Sequence, residues 1–200
     1  MNITTIKASI TGTRPLLMHN GRLRNPMDPW AKALKASNGK FRGSKSDDDF
    51  ADQSKVEYIG GLYCDDKLGP VIPADNLQAM LVEGARKRRL GKQFEAFVEI
   101  VEPEDSSGYK LEYDGPRDPE ILCLTDEFVS LKAVKIGQVA VMRTRPKFKN
   151  WSVDFDIEIL PGGPDVKQVE DALRDAGLTI GLCEWTPRYG RFGLTSVTKV

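Results

Sequence analysis

Trp151-Ser152-Val153-Asp154-Phe155-Asp156-Ile157-Glu158-Ile159 alternates apolar and polar side chains without a break. Successive side chains of a strand point to opposite faces. This segment is therefore predicted to be a strand with one buried and one wet face. Pro161-Gly162-Gly163-Pro164 stops it. Asp165 then caps a helix that places Val166, Val169, Ala172, Leu173 and Ala176 on one side, with Gly177 at its C′ position. A glycine- and aromatic-bearing segment, Gly181 to Gly193, leads to a last strand over about 192–200.

Working back toward the start, Val139 and Val141 open a strand that runs into Arg143 and Arg145, with a turn from Pro146 to Asn150. Two short strands are predicted at 94–101 and 109–113, forming a hairpin around the turn 102–108. Before them Pro73 precedes a helix with Asp75 as N-cap and Leu77, Met80, Leu81, Gly84 and Ala85 on one face. Arg86-Lys87-Arg88-Arg89 suits its negative C-terminus, and Gly91 is the expected stop. Gly84 costs about 1 kcal/mol against alanine inside a helix, which implies close packing on the sheet. The first strand spans 3–12, where Ile6, Ala8 and Ile10 alternate with Lys7, Ser9 and Thr11. A short helix is expected around Trp30–Ala36, followed by a mobile loop over Ser37–Asp52.

The order strand, helix, strand, strand, helix, strand gives an α+β class with a ferredoxin-like βαββαβ core. The chain is expected to be a single domain over 1–200, with large insertions at about 20–70 and 92–138.

Composition narrows the function. The 200 residues are 40% hydrophobic, and no stretch approaches the roughly 18 apolar residues of a membrane span. Lys7 and Arg14 interrupt the apolar positions of the first 20 residues, so no secretory signal is read there. A soluble, cytoplasmic protein with no membrane partner is expected. Cys64, Cys123 and Cys183 are far apart, and His19 is the single histidine. A disulfide framework, a zinc site and a serine-type triad are accordingly not expected. There is no P-loop or dinucleotide fingerprint, so no cofactor is assigned.

Lys+Arg equal Asp+Glu at 29 each, but the charges are segregated. Acids crowd into Glu99–Glu127, where the only bases are Lys110 and Arg117. Complementary faces on one molecule permit head-to-tail self-association, which closes into rings or runs on as helices. Scattered surface charge is the ordinary alternative.

Two segments suit a nucleic acid. Arg143, Arg145, Lys147 and Lys149 lie two apart, so an extended chain would set them in a row with steps of about 6.6 Å. Phe148 and Trp151 stand beside that row and could stack on bases, the alternative being core rings on a solvated hairpin. The second segment, Trp185-Thr186-Pro187-Arg188-Tyr189-Gly190-Arg191-Phe192-Gly193, mixes aromatics with arginines, a combination that suits unpaired bases and phosphates. Gly190 and Gly193 would let backbone approach a ligand. His19 is read as structural or as a base or phosphate contact, and Asp28 as a turn or cap residue or a catalytic carboxylate.

The segment Gly69-Pro70-Val71-Ile72-Pro73-Ala74-Asp75-Asn76-Leu77-Gln78-Ala79-Met80-Leu81 resembles the entry to the first helix of the RAMP superfamily, the RRM-like backbone subunits of CRISPR effector complexes. Pro15-Leu16-Leu17-Met18 after the first strand and the late Tyr189-Gly190-Arg191-Phe192-Gly193 are similar to that family too. The resemblance implies protomers stacked head to tail along a single strand, with a projecting insertion, here 92–138, reaching the neighbour. It also implies that a loop aspartate comparable to Asp28 could cut RNA. The chain departs from the family in its sparse glycine loop, its shortness and its lack of a second domain, which fits a phage or mobile-element relative.

The leading expectation is a non-enzymatic binder of single-stranded nucleic acid, RNA before DNA, that forms a homo-oligomer on its ligand. Arg14, Arg86, Arg89, Arg143, Arg145, Lys147, Arg188 and Arg191 are expected on phosphates; Phe148, Trp151 and Trp185 are expected on bases, with His19 as a further contact. A metal-dependent endoribonuclease using Asp28 and a phage assembly protein without nucleic acid are the alternatives.

Overall fold

A computed structural model describes residues 2–39, 46–137 and 139–200. In chain order these form β1 (Thr4–Gly12), β2 (Leu16–Leu17), a 3-10 turn (Gly21–Arg24), α1 (Pro29–Gly39), α2 (Asp47–Gly61), β3 (Cys64–Asp65) and β4 (Gly69–Ile72). There follow α3 (Ala74–Arg86), α4 (Gly91–Phe97), β5 (Val98–Ile100), β6 (Tyr109–Lys110), α5 (Pro119–Cys123), β7 (Val129–Ile136), β8 (Val139–Phe148), β9 (Ser152–Ile159), α6 (Val166–Thr179) and β10 (Phe192–Lys199). The chain is mixed α and β with open sheets. It divides into two compact units, one of Met1–Leu16, Cys64–Gly115 and Phe148–Val200, the other of Leu17–Tyr63 and Pro116–Lys147.

The first, or sheet, unit is built on a four-stranded sheet in the order β10-β1-β9-β5. Every neighbouring pair is antiparallel. The register sets Ile6 beside Ile157, Ala8 beside Phe155 and Ile10 beside Val153. All six side chains are fully buried, so the alternation seen in the sequence is the core face. Helix α6 begins at a capping box in which Asp165 and Gln168 satisfy each other's backbone N–H groups.

Several expectations change at the element ends. Gly84 packs against the neighbouring helix and not on the sheet: a Cβ there would lie 2.3 Å from the Ala172 carbonyl oxygen of α6. Gly177 lies inside α6, where a Cβ would meet the Phe192 carbonyl at 2.3 Å. The left-handed residue after α6 is Gly181, at φ 85°. Asp75 is inside α3, whose N-cap is Pro73. Helix α3 ends well before Gly91, and the turn that closes it carries Arg89 at φ 63°. There Leu90 N–H donates to Ala85 O and Arg89 N–H to Arg86 O, both at 3.0 Å, which is the Schellman pattern with an arginine in the glycine position.

The predicted hairpin of 94–101 with 109–113 does not form. Residues 91–97 are helical, with Phe94 fully buried. β5 pairs with β9, and β6 pairs with β4. Tyr109 instead reaches across: its hydroxyl donates to Val101 O and accepts the Asp156 N–H at 3.1 Å.

In the second, or hairpin, unit β7 and β8 pair antiparallel from Val129–Pro146 to Ile136–Val139. β8 stays extended through Pro146 to Phe148, so Pro146 does not begin the turn. Proline is tolerated near a strand end, and its carbonyl accepts the Met18 N–H at 3.1 Å. The predicted loop at 37–52 holds the start of α2. The Ser46 hydroxyl accepts the Asp49 N–H and the Asp49 carboxylate accepts the Ser46 N–H at 3.0 Å. Acids at Asp47, Asp48 and Asp49 favour a helix N-terminus. Positions 40–45 of that loop lie outside the described residues. No helix among the described residues is long and apolar enough to cross a membrane.

Candidate nucleic-acid interface

The aromatic–arginine tail is a closed loop of the sheet unit. Its neck is tied by Leu182 N–H to Gly190 O at 2.9 Å and Gly190 N–H to Pro15 O at 2.8 Å. Gly190 sits at φ 70°, and a Cβ would meet the Leu182 carbonyl oxygen at 2.0 Å. The glycine serves this neck and not a ligand's approach. Within the loop Cys183 (φ 64°) and Trp185 (φ 55°) take left-handed backbone, a conformation that costs a bulky residue of order 1–3 kcal/mol and persists only where the surroundings enforce it.

That backbone sets Trp185 beside Tyr189, ring centroids 6.1 Å apart and tilted by 48°. Both rings are half-buried and Arg188 is exposed. Thr13 and Arg14 donate their N–H groups to the Arg191 carbonyl at 2.8 and 3.1 Å, which joins Arg14 to the same neck. Arg14 is exposed; Arg191 is half-buried and its Nε donates to no acceptor in the described chain. Arg14, Trp185, Arg188 and Arg191 thus belong to one loop system. Tyr189, absent from the expected contacts, joins them; its place four residues after Trp185 was the available signal.

Other expected residues have different work. Phe148 is fully buried and packs on Tyr113 with centroids 4.7 Å apart. Trp151 is buried against Phe192, and its Nε1–H donates to Arg14 O at 2.9 Å. Neither ring offers a face to a base, so Phe148 and Trp151 are core rings and not stacking platforms. Arg86 is held between Glu83 and Glu95, the latter at 2.5 Å; Glu95 first, then Glu83, raise its pKa further. Arg89 is exposed at the end of α3.

The row of bases on β8 is not a solvent-facing track. Arg143 is half-buried and its Nη1 donates to Glu57 at 3.0 Å. The second Glu57 oxygen accepts the Thr144 N–H at 2.9 Å, so this buried carboxylate of α2 occupies the edge of β8. Arg145 is only 9% exposed. Lys147 is half-buried. Lys132 faces Arg143 across the hairpin, a pairing legible only once the register is known. His19 lies in this unit too, half-buried, with its carbonyl accepting the Tyr63 hydroxyl at 3.4 Å.

Asp28 caps α1: Oδ1 accepts the N–H groups of Trp30 at 2.8 Å and Ala31 at 3.4 Å. Among the described residues no cluster of three or more His, Cys, Asp or Glu side chains could hold a metal ion. No known protein family matches this sequence, and no curated protein matches it either.

Proposed function

We propose that this chain binds single-stranded nucleic acid, RNA in preference to DNA, without cutting it, and assembles head to tail along the strand as a ring or helical filament. The reading gives the sheet unit a ferredoxin-like, RRM-like core related to RAMP backbone subunits. The strand order β10-β1-β9-β5, with α3 and α6 in the two crossovers, supports that relation.

The observation that carries the proposal is the 181–191 loop. Its left-handed Cys183 and Trp185 hold two half-buried rings beside an exposed Arg188. Aromatic faces accept any base, at about 1–3 kcal/mol each, and arginines accept phosphates. Duplex bases are stacked on one another and present no free face, so unpaired strands are favoured. Asp28 spends a carboxylate oxygen on a helix cap, which argues against the nuclease reading.

The test is fluorescence anisotropy with a labelled single-stranded RNA, the matching DNA and the duplex, across a salt series. Affinity in the order RNA, DNA, duplex, falling steeply with salt, supports the proposal. Absence of binding to every single strand at low salt overturns it.

A further inference from the structure

The hairpin unit carries a groove along α2 and a knob fastened to the C-terminal end of that helix. The groove, about 750 Å3, runs between α2 and the β7–β8 hairpin. Phe50, Leu131 and Met142 line it and are 51%, 57% and 46% exposed. Three large apolar side chains open to solvent along one groove form the kind of patch that marks an interaction surface. Asp47 stands at its edge and Asp48 beside it in the first turn of α2, both exposed.

The knob is the turn Arg24-Asn25-Pro26-Met27. Met27 is 72% exposed, and Arg24 is exposed. The turn is rigid. Asn25 Oδ1 accepts the Met27 N–H at 3.0 Å, and Asn25 O accepts the Asp28 N–H at 3.1 Å. Arg22 fastens its base to the far end of α2, donating to Gly60 O at 2.9 Å and Ile59 O at 2.6 Å. Ten residues of α-helix separate Phe50 from Gly60, about 15 Å of rise. None of Arg24–Met27 lines the groove.

We propose that the Arg24–Met27 knob of one copy docks in the α2/β7–β8 groove of the next, Pro26 and Met27 against Phe50, Leu131 and Met142, and Arg24 toward Asp47 and Asp48. The occupant is a second copy because the chain itself carries the complement, an apolar tip with a cation against an apolar floor with carboxylates. The preformed turn lowers the ordering cost of docking. Since the two patches differ, the contact is heterologous and propagates. It rests on the head-to-tail reading above and names the contact that builds the array.

The test uses the full chain on poly(U), followed by sedimentation velocity. On poly(U), Met27→Asp and Leu131→Asp each load singly, without the cooperative clustering of wild type. On an oligonucleotide that holds a single protomer neither self-associates, and a mixture of the two forms dimers and nothing longer, because one intact knob meets one intact groove. Arg24→Glu weakens assembly at low salt, and a mixture with a chain carrying Asp47→Lys and Asp48→Lys restores it. Binding to a short oligonucleotide is unchanged in all of them. If Leu131→Asp fails to fold, Met27→Asp on its exposed turn carries the test. Variants that assemble as wild type does, or a mixture without dimers, overturn the docking contact while nucleic-acid binding stands. A wild-type chain that does not bind poly(U) removes the functional reading, and protein-only sedimentation at high concentration then judges the contact: no self-association overturns it.

Discussion

Gly84 of α3 and the Ala172 carbonyl of α6 approach so closely that a Cβ on residue 84 would sit 2.3 Å from the oxygen. Helix propensity alone says that Gly84→Ala gains about 1 kcal/mol. The clash opposes it, since the atom in the way is backbone, and overpacking of this kind costs about 1–3 kcal/mol. Gly84→Ala is expected to lower the urea midpoint. An unchanged or raised midpoint would show that the two helices can part at little cost.

Arg89 poses the opposite case. It occupies the left-handed position of the Schellman motif at φ 63°, where glycine has no steric cost. Arg89→Gly is expected to stabilise the chain by about 1 kcal/mol, read as a raised denaturation midpoint. The same variant removes a cation, so its affinity for single-stranded RNA should be measured alongside. A stability gain with weaker, less salt-dependent binding places Arg89 on a phosphate, and a gain with unaltered binding removes it from the interface.

Asp65 supplies a pH dependence. Its carboxylate accepts the backbone N–H groups of Ser107 at 2.9 Å, Lys67 at 2.8 Å and Leu68 at 3.1 Å, and the Ser107 hydroxyl. These donors, the Ser107 backbone foremost, pull its pKa down to about 2 from 3.8. A lowered folded-state pKa means that the charged form is the one the fold prefers. The stabilisation is complete above the unfolded value near 3.8 and fades as the pH falls toward 2. Asp65→Asn should flatten that part of the stability profile. An NMR titration midpoint for Asp65 near 3.8 would contradict the hydrogen-bond account.

How much of this was legible in the sequence follows from what each signal reports. Alternation at Ile6–Ile10 and Val153–Ile159 depends on one buried face, and that face is the core. The cap at Asp165 is a local event and was readable too. The 94–101 segment misled because Phe94 satisfies a helix as well as a strand. Arg89 in a glycine position had no local signal. For the β8 arginines, spacing of two says which side chains share a face, not whether that face is wet. Glu57, distant in sequence, takes Arg143, and nothing local announces it. Phe148 and Trp151 looked like stacking rings for the same reason: an aromatic beside bases reads alike inside and outside.

Trp185 and Phe148 separate binding from folding. Phe148 is fully buried, so Phe148→Ala should cost about 3–5 kcal/mol of stability, the range for emptying an aromatic core site. Any loss of RNA binding should follow the unfolded fraction and vanish where the variant is folded. Trp185 is half-buried on a loop held by backbone hydrogen bonds at its neck. Trp185→Ala should weaken single-stranded RNA binding by roughly 5- to 150-fold, the equivalent of one stacked base at about 1–3 kcal/mol, with a smaller effect on the melting midpoint than Phe148→Ala has. Arg188→Ala should reduce the slope of log affinity against log salt by about 0.7, the value for one phosphate on a single strand. If Trp185→Ala keeps wild-type affinity and Arg188→Ala keeps the wild-type slope, the 181–191 loop is not where the strand lies.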